Sequence, residues 1–491
     1  MESSKNSDHK IAKKGSVPIY RQLEEILKQR IKNGELKPGD QTPTEFELCE
    51  EFDISRISVR QALAELANDG FLFRHQGKGT FVNHISSEET SLLRVLIAEE
   101  QWIPPLREAV LLYNEEGHES EILLEIQAVG RPQLRSTILS AVGRGEAPDF
   151  ALIDWAWRVE FSNLHFLKRL DRLDPQWAEE FKADLFPAFV DKTTPALYGI
   201  QPEANVSVIW YRKDWFEQKK IDPPRNWNEL VEVSRYFQKT KKHPLAFVGG
   251  TKAGETTTYQ LLPFVWSGGG DLFTNGNVAL DDRVVGAVRF LVDLVHKHKV
   301  VSPDVVSYSW DQPARLFAQG QLALAVGGSY EKSVIQDIAG WDDEAFRTKV
   351  GCIPIPAGPD GVMATVAGGM TYVIFRQSRD ARLALEILKR VASPKLMHRF
   401  CTEAGRSPTR TSVVHALDCE RDWFSHCVAS FLNTSRARSG IAEYAKVSEQ
   451  FQVMMENALS GRMSPRQAVE KAEEIMRVLV SDTHNEDVVS L

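Results

Sequence analysis

Residues 55–82 read SRISVRQALAELANDGFLFRHQGKGTFV, and this stretch decides how the rest of the chain is parsed. Ser55 is a candidate N-cap ahead of a run without Pro or Gly until Gly70. Val59, Ala62, Leu63, Leu66 and Ala67 recur at helical spacing, which predicts one buried face. Arg56 and Arg60 are four apart and share another face, with Ser58 and Gln61 beside them. Arg and Gln match base edges in the major groove, whereas Ser and the amides of a helix N-terminus match phosphates. Asn68-Asp69-Gly70 ends the helix. Residues 71–74 and 80–82 then read as strands around the tip His75-Gln76-Gly77-Lys78-Gly79. Two glycines and a lysine at such a tip permit close backbone approach to DNA.

Working upstream, Tyr20, Leu23, Leu27 and Ile31 form one helical stripe closed by Asn33-Gly34. Thr44-Glu45-Phe46-Glu47 has the form of a capping box opening a second helix, and Asp53-Ile54 is the turn into the third. The runs PIYRQLEEILKQRIKNGELKPGD, PTEFELCEEFDISRISVRQAL and DGFLFRHQGKGTFV together resemble the winged helix-turn-helix of the GntR family. The resemblance implies that Glu45, Ser55, Arg56, Ser58, Arg60 and Gly79 lie at the DNA. Gln61 and Lys78 join them from the reading of the helix face and hairpin tip. Three residues depart from the family pattern: Thr42 where Leu is usual, Phe46 where an Arg often helps hold DNA, and Ile57 where Thr is common.

Composition alone does not point to DNA. The net charge is −8, and residues 1–83 hold 13 Lys+Arg against 13 Asp+Glu. The remainder carries 46 basic and 54 acidic residues, so that part is expected to stay off a DNA backbone. Residues 1–17 are polar, with no apolar core long enough for a signal peptide, and no run of 18 apolar residues exists. Cys49, Cys352, Cys401, Cys419 and Cys427 show no CxxC spacing. The expectation is a reduced, cytoplasmic protein without a metal, a cofactor or a membrane partner.

Downstream of a polar linker the pattern changes. Residues 93–98, 122–129 and 150–153 read as strands, and 104–115 and 133–143 as helices. This βαβαβ order predicts a largely parallel sheet with ligands beyond the carboxyl ends of its strands, where Asp154 and Trp155 fall. Across residues 92–480 the chain resembles the family-1 extracellular solute-binding proteins. The matching runs are LYGIQPEANVSVIWYRKDWFEQKKIDPPRNWNELVEVSRYF (197–237), LFAQGQLALAVGGSYE (316–331), AGGMTYVIF (367–375), SPKLMHRF with GRSPTR (393–410), and LSGRMSPRQAVEKAEEIMRVLV (459–480).

That resemblance implies two α/β lobes closing on a solute, with chain crossings near 198–203, 362–367 and 405–408. One lobe would hold about 92–197 and 368–406, the other most of the rest. Sugar faces stack on aromatic rings while their hydroxyls take planar polar groups. All 11 tryptophans lie at or beyond Trp102. Tyr330, after Gly327-Gly328-Ser329, matches a position where the family often places a stacking aromatic. Trp155 sits at a strand end, and Tyr259 at a helix start that often faces the cleft. Asp154, Glu203, Asn205 and Gly369 could bind hydroxyls or lie beside them. Trp210, Tyr211, Trp215 and Trp227 read as core. Each candidate also has a plain structural reading, as a core cap or a solvated hinge charge.

A pyridoxal-phosphate enzyme of aminotransferase type also occurs behind GntR modules, but no convincing Schiff-base lysine motif is present, nor HExxH, GxSxG, GxGxxG or GxxxxGK[ST]. The fold class expected is α/β: a winged helix-turn-helix followed by a two-lobed periplasmic-binding-protein-like domain. The divisions are a disordered tail (1–17), the DNA-binding domain (18–83), a linker (84–91) and a ligand-sensing domain (92–491). The expected function is a non-enzymatic transcription regulator, binding operator DNA as a homodimer under control of a mono- or oligosaccharide effector. An amino acid or peptide is the alternative ligand, and repression and activation both stay open.

Overall fold

The computed structural model describes residues 11, 18–37, 39–68, 71–75, 79–82, 90–98, 100–118, 120–190, 196–274, 276–359, 361–418, 421–438 and 440–486. The tail, the linker and the hairpin tip with Lys78 lie outside, or largely outside, the described residues. The chain divides into two compact units, Met1–Ala151 with Gln377–Val391, and Leu152–Arg376 with Ala392–Leu491.

In the first unit, α1 (Ile19–Lys32), α2 (Glu45–Phe52) and α3 (Arg56–Asn68) are followed by the antiparallel hairpin β1 (Leu72–His75) and β2 (Gly79–Val82). Leu23, Leu27, Leu48, Val59, Ala62, Leu63, Leu66, Phe71, Leu72 and Val82 form their shared core. Burial of each larger side chain is worth roughly 1.5–3 kcal/mol, which is what holds three short helices together. The capping box is formed: Glu47 N–H donates to Thr44 Oγ1 at 3.2 Å, and Thr44 N–H donates to Glu47 Oε2 at 2.7 Å. Asp53, at φ 51°, makes the left-handed turn into α3. Ser55 caps α3, accepting from Ser58 N–H at 3.2 Å.

The same unit continues as β3 (Thr90–Ile97), α4 (Ile103–Glu115), β4 (Glu121–Ala128), α5 (Arg131–Gly143) and the first two residues of β5 (Phe150–Asp154), whose last three, Leu152 to Asp154, belong to the second unit. β4 and β5 pair in parallel on opposite sides of β3, from Thr90↔Glu121 to Ile97↔Ala128 and at Val95↔Phe150 and Leu96↔Ala151. These are the expected strands and helices, shifted by a few residues at their ends. Asp149, fully buried, fixes the entry to β5 by accepting from Arg94 N–H, Ser378 Oγ and Arg379 N–H at 2.8–2.9 Å. The helix Ala381–Val391 packs on α4.

The second unit is built round β6 (Asn205–Arg212), buried along nearly all its length. One edge of β6 pairs antiparallel with Leu324–Gly328, which pairs in turn with Leu245–Ala246. The other edge takes Val366–Gly368 at its start and Val350–Ile353 at its end. Arg436–Ala437 adds to Val366–Gly368 in parallel. The helix Glu255–Ser267 is buried from Thr257 to Ser267, which is why its sequence, TTYQLLPFVWS, carries no charged face. It packs against the helices Asp282–His296 and Tyr444–Leu459. Trp210 and Trp227 are core, with their indole N–H groups donating to Glu331 and Ser267, whereas Tyr211 and Trp215 are half-buried against that core.

Candidate functional site

The buried face of α3 leaves Ser55, Arg56, Ile57, Arg60 and Gln61 on the surface, with Ser58 half-buried. Glu45, at the start of α2, draws the two arginines together. Arg56 Nε donates to Glu45 Oε2 at 2.8 Å, and Arg60 Nε donates to the same oxygen at 2.9 Å. The hydrogen bond from Arg56, backed by that from Arg60, holds the Glu45 carboxyl below the usual glutamate range. Each guanidinium is a planar fork of N–H donors. A fork of that geometry suits guanine O6 and N7.

Gly79 opens β2 at φ 120°, a conformation that favours glycine, and a Cβ there would lie 2.5 Å from the Gln41 amide nitrogen. Phe46 is 68% exposed and Ile57 79%, an unusual placement for large apolar side chains. Among the described residues, Ser55, Arg56, Arg60 and Gln61 are exposed at α3, Ser58 is half-buried, and Gly79 begins β2.

The second cluster lies wholly in the second unit and centres on Arg438. Its side chain is 2% exposed, with Nη2 donating to Asp154 at 3.0 Å and Nη1 to Glu255 at 2.6 Å. Asp154 sits where β5 ends and also accepts from Ala156 N–H at 2.8 Å. Glu255 opens the buried helix and accepts from Tyr444 Oη at 2.6 Å and from Ser448 Oγ. Burial raises the Glu255 carboxyl against the pull of Arg438, and the two carboxylates hold the Arg438 guanidinium firmly charged although it is buried. A buried charge needs such partners, since an unpaired one costs several kcal/mol, on the order of 3–5.

Aromatic rings lie against this node. Arg438 stands 5.7 Å from the Tyr259 ring centre, Tyr259 is 6.0 Å from Tyr330, and Tyr330 is 6.3 Å from Trp310. The Tyr259 hydroxyl is buried without a hydrogen-bond partner among the described residues, and burial pushes its pKa well above the usual value. A Cβ on Gly368 would lie 3.0 Å from that ring, so any side chain there would press on it. Trp310 is 42% exposed and gives the cluster a solvent-facing end.

Glu203 and Asn205 form a linked polar group. Asn205 Nδ2 donates to Glu203 Oε1 at 2.9 Å, Arg406 stands 3.4 Å from Glu203 Oε2, and Ser329 Oγ donates to Asn205 Oδ1 at 3.4 Å. Ser329 directly precedes Tyr330, which joins this group to the aromatic one. Gly369, at φ 140°, lies against Gln201 and Glu203, and its carbonyl accepts from Trp155 N–H at 3.1 Å.

The Trp155 side chain goes elsewhere. Arg158 lies 4.3 Å over its ring and Phe189 meets it edge-on at 6.0 Å, beside a small cavity of about 20 Å³. Asp154, Tyr259 and Tyr330 are therefore brought together, Glu203, Asn205 and Gly369 adjoin them, and Trp155 stands apart. Arg438, Glu255 and Trp310 were not anticipated from sequence. Arg438 meets Asp154 from 284 residues away, and its surrounding run, RARSG, has no local feature that marks it.

Comparison with known proteins gives two family matches. Residues 97–397 match the bacterial extracellular solute-binding protein family, and residues 19–82 match the gntR family of bacterial regulatory proteins. The transcriptional repressor NagR of Bacillus subtilis is 51% identical over 79 residues, which are 16% of this chain and 32% of NagR. The chain thus spans about a third of that relative. A putative binding protein of Brucella abortus is 23% identical over 297 residues, 60% of this chain and 70% of the relative. Among solved structures, a Thermotoga lettingae transporter solute-binding protein bound with tagatose has a TM-score of 0.68 at 23% identity, covering 79% of this chain and 100% of its own. No described helix is long and apolar enough to cross a membrane.

Proposed function

The chain belongs to the bacterial extracellular solute-binding protein family and carries a GntR-family DNA-binding domain, and from that premise we propose that it is a transcriptional repressor whose hold on operator DNA answers to a mono- or oligosaccharide. The observation that carries the ligand class is the run of rings Tyr259, Tyr330 and Trp310 beside the buried charges of Asp154, Arg438 and Glu255. Rings offer apolar faces to sugar C–H groups, and fixed carboxylate and guanidinium groups offer planar partners to hydroxyls. Related GntR-domain proteins are named as repressors, among them NagR and the mannosyl-D-glycerate system repressor MngR of Escherichia coli.

In this reading residues 18–83 bind DNA through Glu45, Ser55, Arg56, Ser58, Arg60, Gln61, Lys78 and Gly79. Two copies engage half-sites about 34–36 Å, or a multiple of that, apart. Residues 92–491 bind the solute, and closure on it alters the placement of the paired DNA modules. The ligand shifts operator affinity only by its differential affinity for the two states. Regulation and solute capture are both non-catalytic roles.

The test is a thermal-shift screen of the purified chain against sugars, oligosaccharides, amino acids and peptides, because a ligand of the folded state alone raises the melting temperature. Hits are then titrated into a gel-shift assay on operator DNA selected from genomic fragments. A sugar should stabilise the protein and change operator affinity. Stabilisation by an amino acid or peptide alone would replace the ligand class, and a sugar that binds without touching DNA affinity would remove the coupling.

A further inference from the structure

Two thiols meet in the second unit, neither of them a member of the candidate sites. Cys352 Sγ, on the strand Val350–Ile353, lies 3.5 Å from Cys427 Sγ, on the helix Trp423–Leu432. Packing sets the approach. Cys352 is the register partner of Trp210 in β6, and the Trp210 ring stacks on Phe424 at 5.7 Å with an interplanar angle of 18°. Phe424 and Cys427 are three apart on the helix, so they share a face. The contact that seats the helix on the sheet therefore also delivers Cys427 to Cys352. Both cysteines are half-buried and free.

The pair is chemically asymmetric. The hydrogen bond between them lowers the Cys427 thiol below the usual cysteine value and raises Cys352 well above it. An attacking thiolate and a neighbouring thiol held in reserve are the two roles needed to make a disulfide in steps. By contrast, burial raises the Cys401 thiol well above the usual range, and Cys401 is nearly inaccessible.

We propose that Cys352 and Cys427 form a peroxide-sensitive dithiol that closes reversibly into a disulfide. The Cys427 thiolate attacks one oxygen of hydrogen peroxide, forming an S–O bond and breaking the O–O bond. The hydroxide released takes up a proton and leaves as water. The Cys352 sulfur, losing its proton, then displaces the sulfenic hydroxyl, which leaves as the second water. Two thiols and one peroxide thus give one disulfide and two waters, each sulfur being oxidised by one electron. The S–S bond, about 2.05 Å long, would fasten the helix Trp423–Leu432 to the sheet. That helix leads directly to Arg436–Ala437 and Arg438, so oxidation restrains the segment that carries the node of the polar cluster.

The test uses the full chain treated with a few equivalents of hydrogen peroxide, blocked with iodoacetamide and mapped by mass spectrometry. The expected result is a loss of two hydrogens in intact mass, one cross-linked peptide joining Cys352 to Cys427, and reversal by dithiothreitol. The melting temperature should rise, because the bond closes a long loop in the unfolded chain. In C352S, Cys427 should be trapped by dimedone as a sulfenic acid. Equal iodoacetamide labelling of both cysteines before and after peroxide would overturn the proposal. So would a cross-link to any other cysteine, or dimedone labelling in C352S that spares Cys427.

Discussion

Arg107, on α4, donates from Nη1 to Glu65 Oε2 at 2.8 Å, and Glu65 lies on the helix that presents Arg56 and Arg60. A second tie joins Arg21 of α1 to Glu100 at 2.6 Å. Both cross from the helix-turn-helix to the α/β segment that follows it. Both pairs are part-exposed at one partner or both, so their stability value is small, about 0–1 kcal/mol. We expect Arg107→Ala to leave the separate affinities for sugar and operator nearly intact while reducing the effect of sugar on operator binding several-fold. Gel shifts across a sugar titration measure this; an unchanged sugar effect would show that the pair carries no signal.

Arg60→Ala removes one of the two guanidinium forks that Glu45 holds. A bidentate base contact is worth about 1–3 kcal/mol, so operator affinity should fall roughly tenfold or more while affinity for unrelated DNA changes less. Sugar binding should persist in calorimetry. Loss of both activities would mean that Arg60 supports the fold instead.

Ile57 stands fully out on the first turn of α3, between two residues assigned to DNA. An apolar side chain in the major groove meets the thymine methyl. Ile57→Ser should weaken preference for thymine at one operator position by about 1–3 kcal/mol, as for a mismatched base pair. Selection of binding sites from a random pool reads the change. An identical site logo for both proteins would place Ile57 off the bases.

Tyr330→Ala should weaken sugar binding roughly tenfold, about 1.4 kcal/mol, with the fold retained, because the ring is only partly buried and sits at the edge of its core. Tyr259→Phe tests the buried hydroxyl: it should cost affinity for the sugar but not stability. Calorimetry and urea unfolding separate the two effects, and unchanged affinity in both variants would move the sugar site elsewhere.

Burial pushes the Glu331 carboxyl up to about 8, against the hydrogen bonds it accepts from Gly328 N–H and Trp210 Nε1. Its folded-state pKa is raised, so between the ordinary glutamate range and about pH 8 the folded chain holds a proton that the unfolded chain has lost. Stability from this group therefore falls as pH rises through that window, by at most about 1.4 kcal/mol per pH unit. Glu331→Gln should flatten the decline seen by urea unfolding from about pH 5 to 8. Parallel declines in both proteins would exclude Glu331 as the source.

The helix-turn-helix was legible because its signals are local. The cap at Ser55, the box at Thr44 and Glu47, and the apolar stripe of α3 each span a few residues. The parallel strands were legible for the same reason. The sites were legible only at element ends, where Asp154 and Tyr330 follow apolar strands. Glu255 and Arg438 escaped because their meeting depends on contacts across 183 residues, which no periodicity encodes. Trp155 follows β5 as a ligand-facing residue would, but Arg158, three residues on, covers its ring, a helical-turn contact that its position alone does not disclose.

Glu45 has one more consequence, for the search along a genome. Residues 1–83 carry 13 basic and 13 acidic residues, and Glu45 already occupies Arg56 and Arg60. Random DNA must compete with that carboxylate for Arg56 and Arg60, and few condensed ions are released in return. A head of this kind should show a shallow dependence of affinity on salt and little residence on the millions of sites that are not its operator. Modest grip on the right sequence can then still give high occupancy, because so little protein is lost to the wrong ones.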